Sequence, residues 1–247
     1  MLIMEYDGTR YHGSQHQTNA PTIQGETEHA LERLTGEKVR IAVASRTDAG
    51  VHAKGQVVSF KANSVFAPKT WVRALNHYLP PDIAIKAAYN ADDGFDVRRH
   101  AWSREYRYSI LNTFVPSPLM RRYTCFVPHP LDMEAMRRAC QVLIGEHDFA
   151  SFSGVIGGQS RRRVYRTEVG KQGDLVIFDI EASSFLPHQV RNTVGSLIRV
   201  GLGKMKVDTF WELARSGRPG ALGPAVPAQG LCLMKVNYHD FPPFEEM

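Results

Sequence analysis

The feature that most constrains the fold is the order of strand-like and helix-like patterns at the start of the chain. Apolar residues at every second position are typical of strands, and apolar residues three and four apart are typical of helices. In chain order these patterns predict a strand, a helix, two strands, a helix and a strand, over 2–6, 22–34, 39–43, 56–60, 68–78 and 83–88. This order is that of the split βαβ, or ferredoxin-like, unit.

The rest of the chain repeats this order with additional segments. Strands are predicted over 105–111, 164–169, 175–180 and 231–236, helices over 133–144, 189–200 and 208–216, and loops over 146–148 and 157–160. We therefore predict an α+β fold built from two ferredoxin-like (RRM-like) α/β halves. Residues 1–99 would form an N-terminal lobe and residues 100–247 a C-terminal lobe, with their sheets side by side around a central cleft.

A polar loop at 44–53 joins two of the predicted strands and carries Asp48, with Arg46 two residues before it. Polar loops held by strands are frequent functional sites. The Asp48 carboxylate could be a nucleophile or a general base, and a neighbouring arginine would favour its ionised form. The stretch 47–50 is equally typical of an Asx turn, which Asp and Gly form readily. The pattern alone leaves both interpretations open.

Two segments of the second half carry further candidate site residues. In the predicted strand 105–111, Tyr106 and Tyr108 lie on one face, where they could stack a base or simply belong to the core. Arg191 lies beside the apolar stripe at the start of the predicted helix 189–200. A cation in the first turn of a helix opposes the helix dipole, which indicates a partner carboxylate. The alternative is an arginine that extends along the helix edge into solvent.

The charge distribution favours nucleic acid as the partner. The formal net charge is +5, and the arginines lie close together in sequence. The clusters are Arg98-Arg99, Arg104, Arg107, Arg121-Arg122, Arg137-Arg138 and Arg161-Arg162-Arg163. Any one pair is typical of a solvated surface, whereas the whole set suits contact with phosphates.

Several classes of site and location are disfavoured by the sequence. Three scattered cysteines argue against a disulfide framework or a cysteine zinc site, and they favour a reducing, cytoplasmic location. No apolar run reaches the length of a membrane span, and the N-terminus lacks the pattern of a signal peptide. His12 and His16 lack the context of a zinc helix, and no glycine-rich phosphate loop is present. We therefore expect no metal, no cofactor and no membrane.

The stretch Ser-Arg-Thr-Asp-Ala-Gly-Val-His-Ala at 45–53 closely resembles the catalytic signature of the tRNA pseudouridine synthase A (TruA) family. Other segments resemble that family in the expected order and cover nearly the whole chain. They are Glu5-Tyr6-Asp7-Gly8-Thr9, Thr22-Ile23-Gln24-Gly25, Ala74-Leu75-Asn76 with Leu79-Pro80, Phe95 and Arg98, Tyr106-Arg107-Tyr108, Phe185-Leu186 with Val190-Arg191-Asn192, and Ala228-Gln229-Gly230-Leu231. This combination is highly specific.

The resemblance implies the pseudouridine synthase fold and an isomerase that converts uridine to pseudouridine at positions 38, 39 and 40 of the tRNA anticodon stem-loop. It also implies a homodimer and a reaction without metal or cofactor. On the matching positions Asp48 is the nucleophile, which attacks the ribose or assists formation of a glycal, and both routes stay open. Tyr106 would stack on the target base and take part in proton transfer, and Arg191 would pair with Asp48. The implied substrate-binding residues are Arg46, Tyr106, Tyr108 and Arg98.

Three positions depart from the family pattern. Ser45 stands where glycine is usual, Ser14 where tryptophan is usual and Asp96 where histidine is common, and none of them is assigned to the chemistry. His52 could contact substrate or pack under the loop, and we favour packing.

A non-catalytic RNA-binding or chaperone protein would also explain the arginines without needing Asp48. A related synthase with another RNA target is the third alternative.

Overall fold

The computed structural model describes residues 1–154 and 159–239, and within these ranges ten strands form one continuous sheet. The strands are β1 (Leu2–Tyr6), β2 (Ala42–Val43), β3 (His52–Ser59), β4 (Ile83–Ala88), β5 (Ala101–Leu111), β6 (Cys125–Phe126), β7 (Gly145–Asp148), β8 (Arg161–Gln172), β9 (Leu175–Ala182) and β10 (Leu231–Tyr238). Their spatial order is β4-β1-β3-β10-β5-β9-β8-β7, with β2 paired to β3 and β6 paired to β5.

Five helices of the described residues are α1 (Ile23–Thr35), α2 (Pro68–Tyr78), α3 (Met133–Cys140), α4 (Gln189–Gly201) and α5 (Val207–Arg215). Their ends follow from local chemistry. Thr22 and Asp132 cap α1 and α3 by accepting hydrogen bonds from Gly25 N and Ala135 N. Gly36 ends α1 in the left-handed conformation that glycine adopts without strain. No helix in the described ranges has the length and apolar character needed to cross a membrane.

Each half of the chain shows the strand order of a split βαβ unit. In the first half the order is β4-β1-β3-β2, and in the second half it is β10-β5-β9-β8, so that the fourth strand lies beside the first in both. The predicted α+β class is confirmed. The buried side chains form one core that includes residues of both halves. The division into lobes at residue 99 stays a prediction, and residues 157–158 and 240–247, which fall in predicted segments, lie outside the described residues.

β10 is the strand that joins the two halves. It pairs in parallel with β3, where Cys232 lies opposite His52, and in antiparallel with β5. β2 pairs with the other end of β3, where Ala42 lies opposite Ser59. The predicted strand over 39–43 is therefore too long. The Ile41 amide donates to Glu28 Oε1 of α1 at 3.1 Å instead of joining the sheet, although the alternating pattern still buries its side chain.

Gly55 lies in β3 where β10 passes close to it. A Cβ atom at position 55 would lie 2.5 Å from the carbonyl oxygen of Met234. We expect Gly55→Ala to lower the free energy of unfolding by about 2 kcal/mol, because β3 and β10 must move apart to remove this clash. Urea denaturation measures this change. Gly170→Ala in β8 is the matched control, since its Cβ would meet nothing within 4 Å, and an equal loss in both variants would contradict the explanation.

The second half differs from its prediction at one helix end. α3 stops at Cys140, the next three residues form a 3-10 turn, and the predicted helix over 133–144 is therefore too long. The predicted loop at 146–148 belongs to β7, which pairs with β8 at the sheet edge. This strand has no apolar alternation, because Glu146 and Asp148 are exposed and His147 only partly covered. Edge strands of this kind carry no hydrophobic signal in their sequence.

Candidate active site

The Asp48 loop opens into a cleft of about 790 Å³. One wall is the loop at 44–48, and the opposite wall is the segment 183–191, which runs from the end of β9 into α4. Tyr106 of β5 and Leu231 of β10 lie between them. The cleft is thus built by segments that are far apart in sequence and that meet where β10 joins the two halves of the sheet.

Hydrogen bonds on both sides hold the Asp48 loop in place. Ser14 and Thr47 exchange two bonds, in which Ser14 N donates to Thr47 O at 3.0 Å and Thr47 N donates to Ser14 Oγ at 2.8 Å. The Thr47 hydroxyl lies 2.9 Å from the Tyr6 hydroxyl, and Gln56 Nε2 donates to Ser45 O at 2.6 Å. The residue before Asp48 is therefore fixed by backbone and side-chain contacts. Ser14, a departure from the family pattern, makes two of them.

Asp48 forms an ion pair with Arg191. Arg191 Nη1 lies 3.1 Å from Asp48 Oδ2, and Arg191 Nε donates to the carbonyl oxygen of Val226 at 2.8 Å. The guanidinium is thus fixed at one edge and presents its other edge to the carboxylate. The arginine side chain is 17% exposed and the aspartate side chain 36% exposed, so the pair lies at the cleft surface with the carboxylate open to solvent. The structure brings together the two residues that the sequence assigns to this pair.

His188 is a residue of the site that the sequence reasoning missed. Its Nε2 lies 3.5 Å from Asp48 Oδ2, the same oxygen that Arg191 contacts. It directly precedes α4 and has φ 61° and ψ 0°. Among the described residues it is the one residue other than glycine whose φ is positive. His188 lies between the matching residues Phe185-Leu186 and Val190-Arg191-Asn192. A sequence pattern does not show that a left-handed backbone turns its side chain toward a loop 140 residues away.

Tyr106 lies at the floor of the cleft and is 5% exposed. Its hydroxyl lies 3.0 Å from Ser45 Oγ, and its ring meets the Phe185 ring edge to face at 5.1 Å between centroids. Burial raises the pKa of the Tyr106 hydroxyl well above its ordinary value. The hydroxyl is therefore protonated at neutral pH and is equipped to donate a hydrogen bond at the cleft floor.

The Ser45–Tyr106 contact carries a prediction about stability. Ser45→Ala leaves a buried phenol without this partner, and we expect it to lower the free energy of unfolding by about 1–2 kcal/mol. Thermal denaturation of Ser45→Ala, Tyr106→Phe and the double variant completes a double-mutant cycle, which measures the interaction energy of the two hydroxyls. A double variant whose loss equals the sum of the single losses would show that the two hydroxyls do not interact.

The arginines near the cleft divide into two groups. Arg46 and Arg98 are exposed and line the cleft, where they can reach an anionic ligand. Arg104 is 6% exposed, and its guanidinium donates to four carbonyl oxygens. These belong to Ala44, Arg98, Ala101 and Ser183. Arg104 thus ties the base of the Asp48 loop to the opposite wall, and burial lowers its pKa. The arginine clusters in the sequence do not distinguish these two environments.

Two candidate residues lie away from the cleft. Tyr108 is fully buried, donates to the carbonyl oxygen of Pro227 at 2.7 Å and packs against Gly230, so the structure does not bring it to the site. His52 is buried behind the loop, where Nδ1 accepts from Gly8 N at 3.1 Å and Nε2 lies 2.8 Å from the carbonyl oxygen of Arg122. This placement agrees with a packing role for His52.

The cleft combines groups suited to one kind of chemistry. It holds a carboxylate paired through a single oxygen, a buried phenol and exposed arginines at the rim. Such an arrangement suits nucleophilic attack by the carboxylate on a substrate that carries negative charge. Within residues 1–154 and 159–239, no group of three or more His, Cys, Asp or Glu side chains is placed to hold a metal ion.

Comparisons with known proteins place these features in a family. A family model described as tRNA pseudouridine synthase matches residues 2–98 and 139–239. The chain is 42% identical over 240 residues to tRNA pseudouridine synthase A of Thermoanaerobacter sp. (strain X514), covering 96% of this chain and 98% of that relative. It is 47% identical over 244 residues to tRNA pseudouridine synthase A of Roseiflexus castenholzii, covering 96% and 89%.

Among solved structures, the chain is similar to one chain of an H/ACA RNP bound to a substrate RNA containing 2'-deoxyuridine. The identity is 11%, the TM-score is 0.38, and the match covers 94% of this chain and 59% of that one. The family assignment therefore rests on the sequence comparisons, which span both halves of the sheet and the Asp48 loop.

Proposed function

The chain belongs to the tRNA pseudouridine synthase family, and we propose that it isomerises uridines 38, 39 and 40 in the anticodon stem-loop of tRNA, with Asp48 as the nucleophile. As a pseudouridine synthase it is an isomerase that converts uridine to pseudouridine. The observation that carries the proposal for the site is the Asp48–Arg191 pair, which opens into the cleft above Tyr106.

The proposed reaction is balanced without a cofactor. The bond between N1 of the base and C1′ of the ribose breaks while an Asp48 oxygen bonds to C1′, and the freed base turns over. C5 then bonds to C1′, Asp48 leaves, C5 loses its proton and N1 gains one. Substrate and product are isomers, so that the reaction needs no external oxidant or reductant.

We assign roles to the other cleft residues that agree with their positions. Tyr106 forms the floor on which the flipped base stacks, and its protonated hydroxyl can donate to the base. Arg46 and Arg98 are exposed on the rim, where they would contact phosphates or fill the gap that the flipped base leaves. Flipping a base out of a stem requires a few kcal/mol, which such contacts can supply.

The proposed enzyme is a cytoplasmic homodimer that binds one tRNA across both subunits. This part of the proposal rests on the resemblance to the family. Light scattering on the purified protein tests it, with an expected mass of twice that of the chain. A mass equal to one chain at the concentration of the activity assay would contradict it.

The substrate assignment is tested by release of tritium from tRNA labelled at C5 of uridine. A tRNA transcript with labelled uridines at 38, 39 and 40 should release tritium, because C5 loses its hydrogen when it bonds to C1′. A matched transcript with cytidines at these positions should release none. Equal release from both transcripts would show that another region of the RNA is the target.

A further inference from the structure

His188 occupies a backbone position that disfavours its side chain. Gln189 N donates to the carbonyl oxygen of Leu186 at 3.1 Å, which closes a turn with Pro187 at its second position and His188 at its third. The φ of 61° and ψ of 0° at His188 match the third position of a type II turn, where glycine or asparagine is favoured. A histidine there is strained, and strained residues concentrate at functional sites.

The turn is fixed independently of the imidazole. Leu186 N donates to Gln189 Oε1 at 2.8 Å, and Asn192 N donates to the carbonyl oxygen of His188 at 2.9 Å. Although His188 stands at the start of α4, its side chain makes no capping bond to the helix. The imidazole is instead 54% exposed on the cleft wall, 3.5 Å from Asp48 Oδ2. Neither helix capping nor burial thus accounts for a histidine at this position.

The contacts of Asp48 are unequal between its two oxygens. Arg191 and His188 both approach Oδ2, and within the described residues no hydrogen bond or ion pair to Oδ1 is present. We propose that His188 is a positioning residue, which together with Arg191 holds Oδ2 and leaves Oδ1 as the oxygen that attacks the ribose. This inference rests on the proposed role of Asp48 as the nucleophile.

His188→Gly separates positioning from folding, because glycine fits the turn and removes the imidazole. We expect its melting temperature to equal or exceed that of the wild type, its kcat to fall about tenfold and its KM for tRNA to change less than twofold. Added imidazole should restore part of kcat, since the vacated position is open to the cleft.

The control is His129→Gly, which removes an exposed histidine outside the cleft lining and should keep the wild-type kcat and KM. A His188→Gly enzyme with wild-type kcat, or with a reduced kcat that added imidazole does not restore, would overturn the inference. A loss confined to KM would also overturn it, since it would assign His188 to RNA binding. Failure of the wild type to release tritium from tRNA would instead refute the proposed function.

Discussion

Asp48→Asn is expected to abolish pseudouridine formation while tRNA binding largely survives. Asparagine keeps the size of the side chain but lacks the anionic oxygen that we propose attacks C1′, so kcat should fall at least about 10³-fold. The loop should keep its conformation, because its anchors are the bonds of Thr47 and Ser45 rather than the Asp48 carboxylate. Tritium release from C5-labelled tRNA measures the loss.

Affinity for tRNA should respond in the opposite sense to activity. Phosphate contacts dominate RNA affinity, and Asp48→Asn removes a negative charge from a cleft lined by Arg46 and Arg98. Filter binding should therefore give a Kd equal to or slightly lower than that of the wild type. Asp93→Asn is the matched control, since Asp93 is 97% exposed and pairs with Lys61 away from the cleft. Retained activity in Asp48→Asn would rule out the nucleophile role.

Arg191→Met is expected to reduce kcat about 10²-fold. Methionine fills part of the space of the arginine stem but provides neither the contact to Asp48 Oδ2 nor the bond to the Val226 carbonyl oxygen. The carboxylate then loses its fixed direction, and a displacement of about 1 Å at a reacting atom is enough for a loss of this size. Single-turnover kinetics measure the chemical step separately from tRNA binding.

Two further variants sharpen the test of Arg191. Arg191→Lys restores the charge but lacks the fork that contacts two partners at once, so its kcat should lie between those of Arg191→Met and the wild type. Arg199→Met is the matched control, because Arg199 lies on the same helix with an exposed side chain outside the cleft lining. Equal effects of Arg191→Met and Arg199→Met would attribute the loss to the helix rather than to the ion pair.

Much of the fold follows from patterns that are local in sequence. The alternation at 2–6 and 83–88 and the helical spacing of apolar residues over 22–34 and 68–78 predict elements that the structure contains. The predicted strands are wrong where a strand lies at the edge of the sheet, or where a contact with a helix replaces the hydrogen bonds between strands. β7 has no apolar face, so its sequence carries no strand pattern. The backbone amide of residue 41 donates to a side chain of α1 instead of to a neighbouring strand.

The sequence identifies some residues of the candidate site and misses others. Asp48, Tyr106 and Arg191 lie in three separate segments that the family signature identifies, and the structure brings them to one cleft. The left-handed backbone of His188 and the burial of Arg104 have no local signal, since both depend on what the rest of the fold places around them. Tyr106 and Tyr108 share a strand face, yet only the first reaches the cleft, because the second packs beneath Gly230.

Mapping of pseudouridine in an unmodified tRNA tests the central claim most directly. Carbodiimide treatment followed by primer extension locates each pseudouridine, and wild type and Asp48→Asn can be compared on one transcript. The proposed function predicts stops that report positions 38, 39 and 40 with the wild type and none with the variant. A wild type that leaves these uridines unchanged, or a variant that modifies them as fast as the wild type, would contradict the claim.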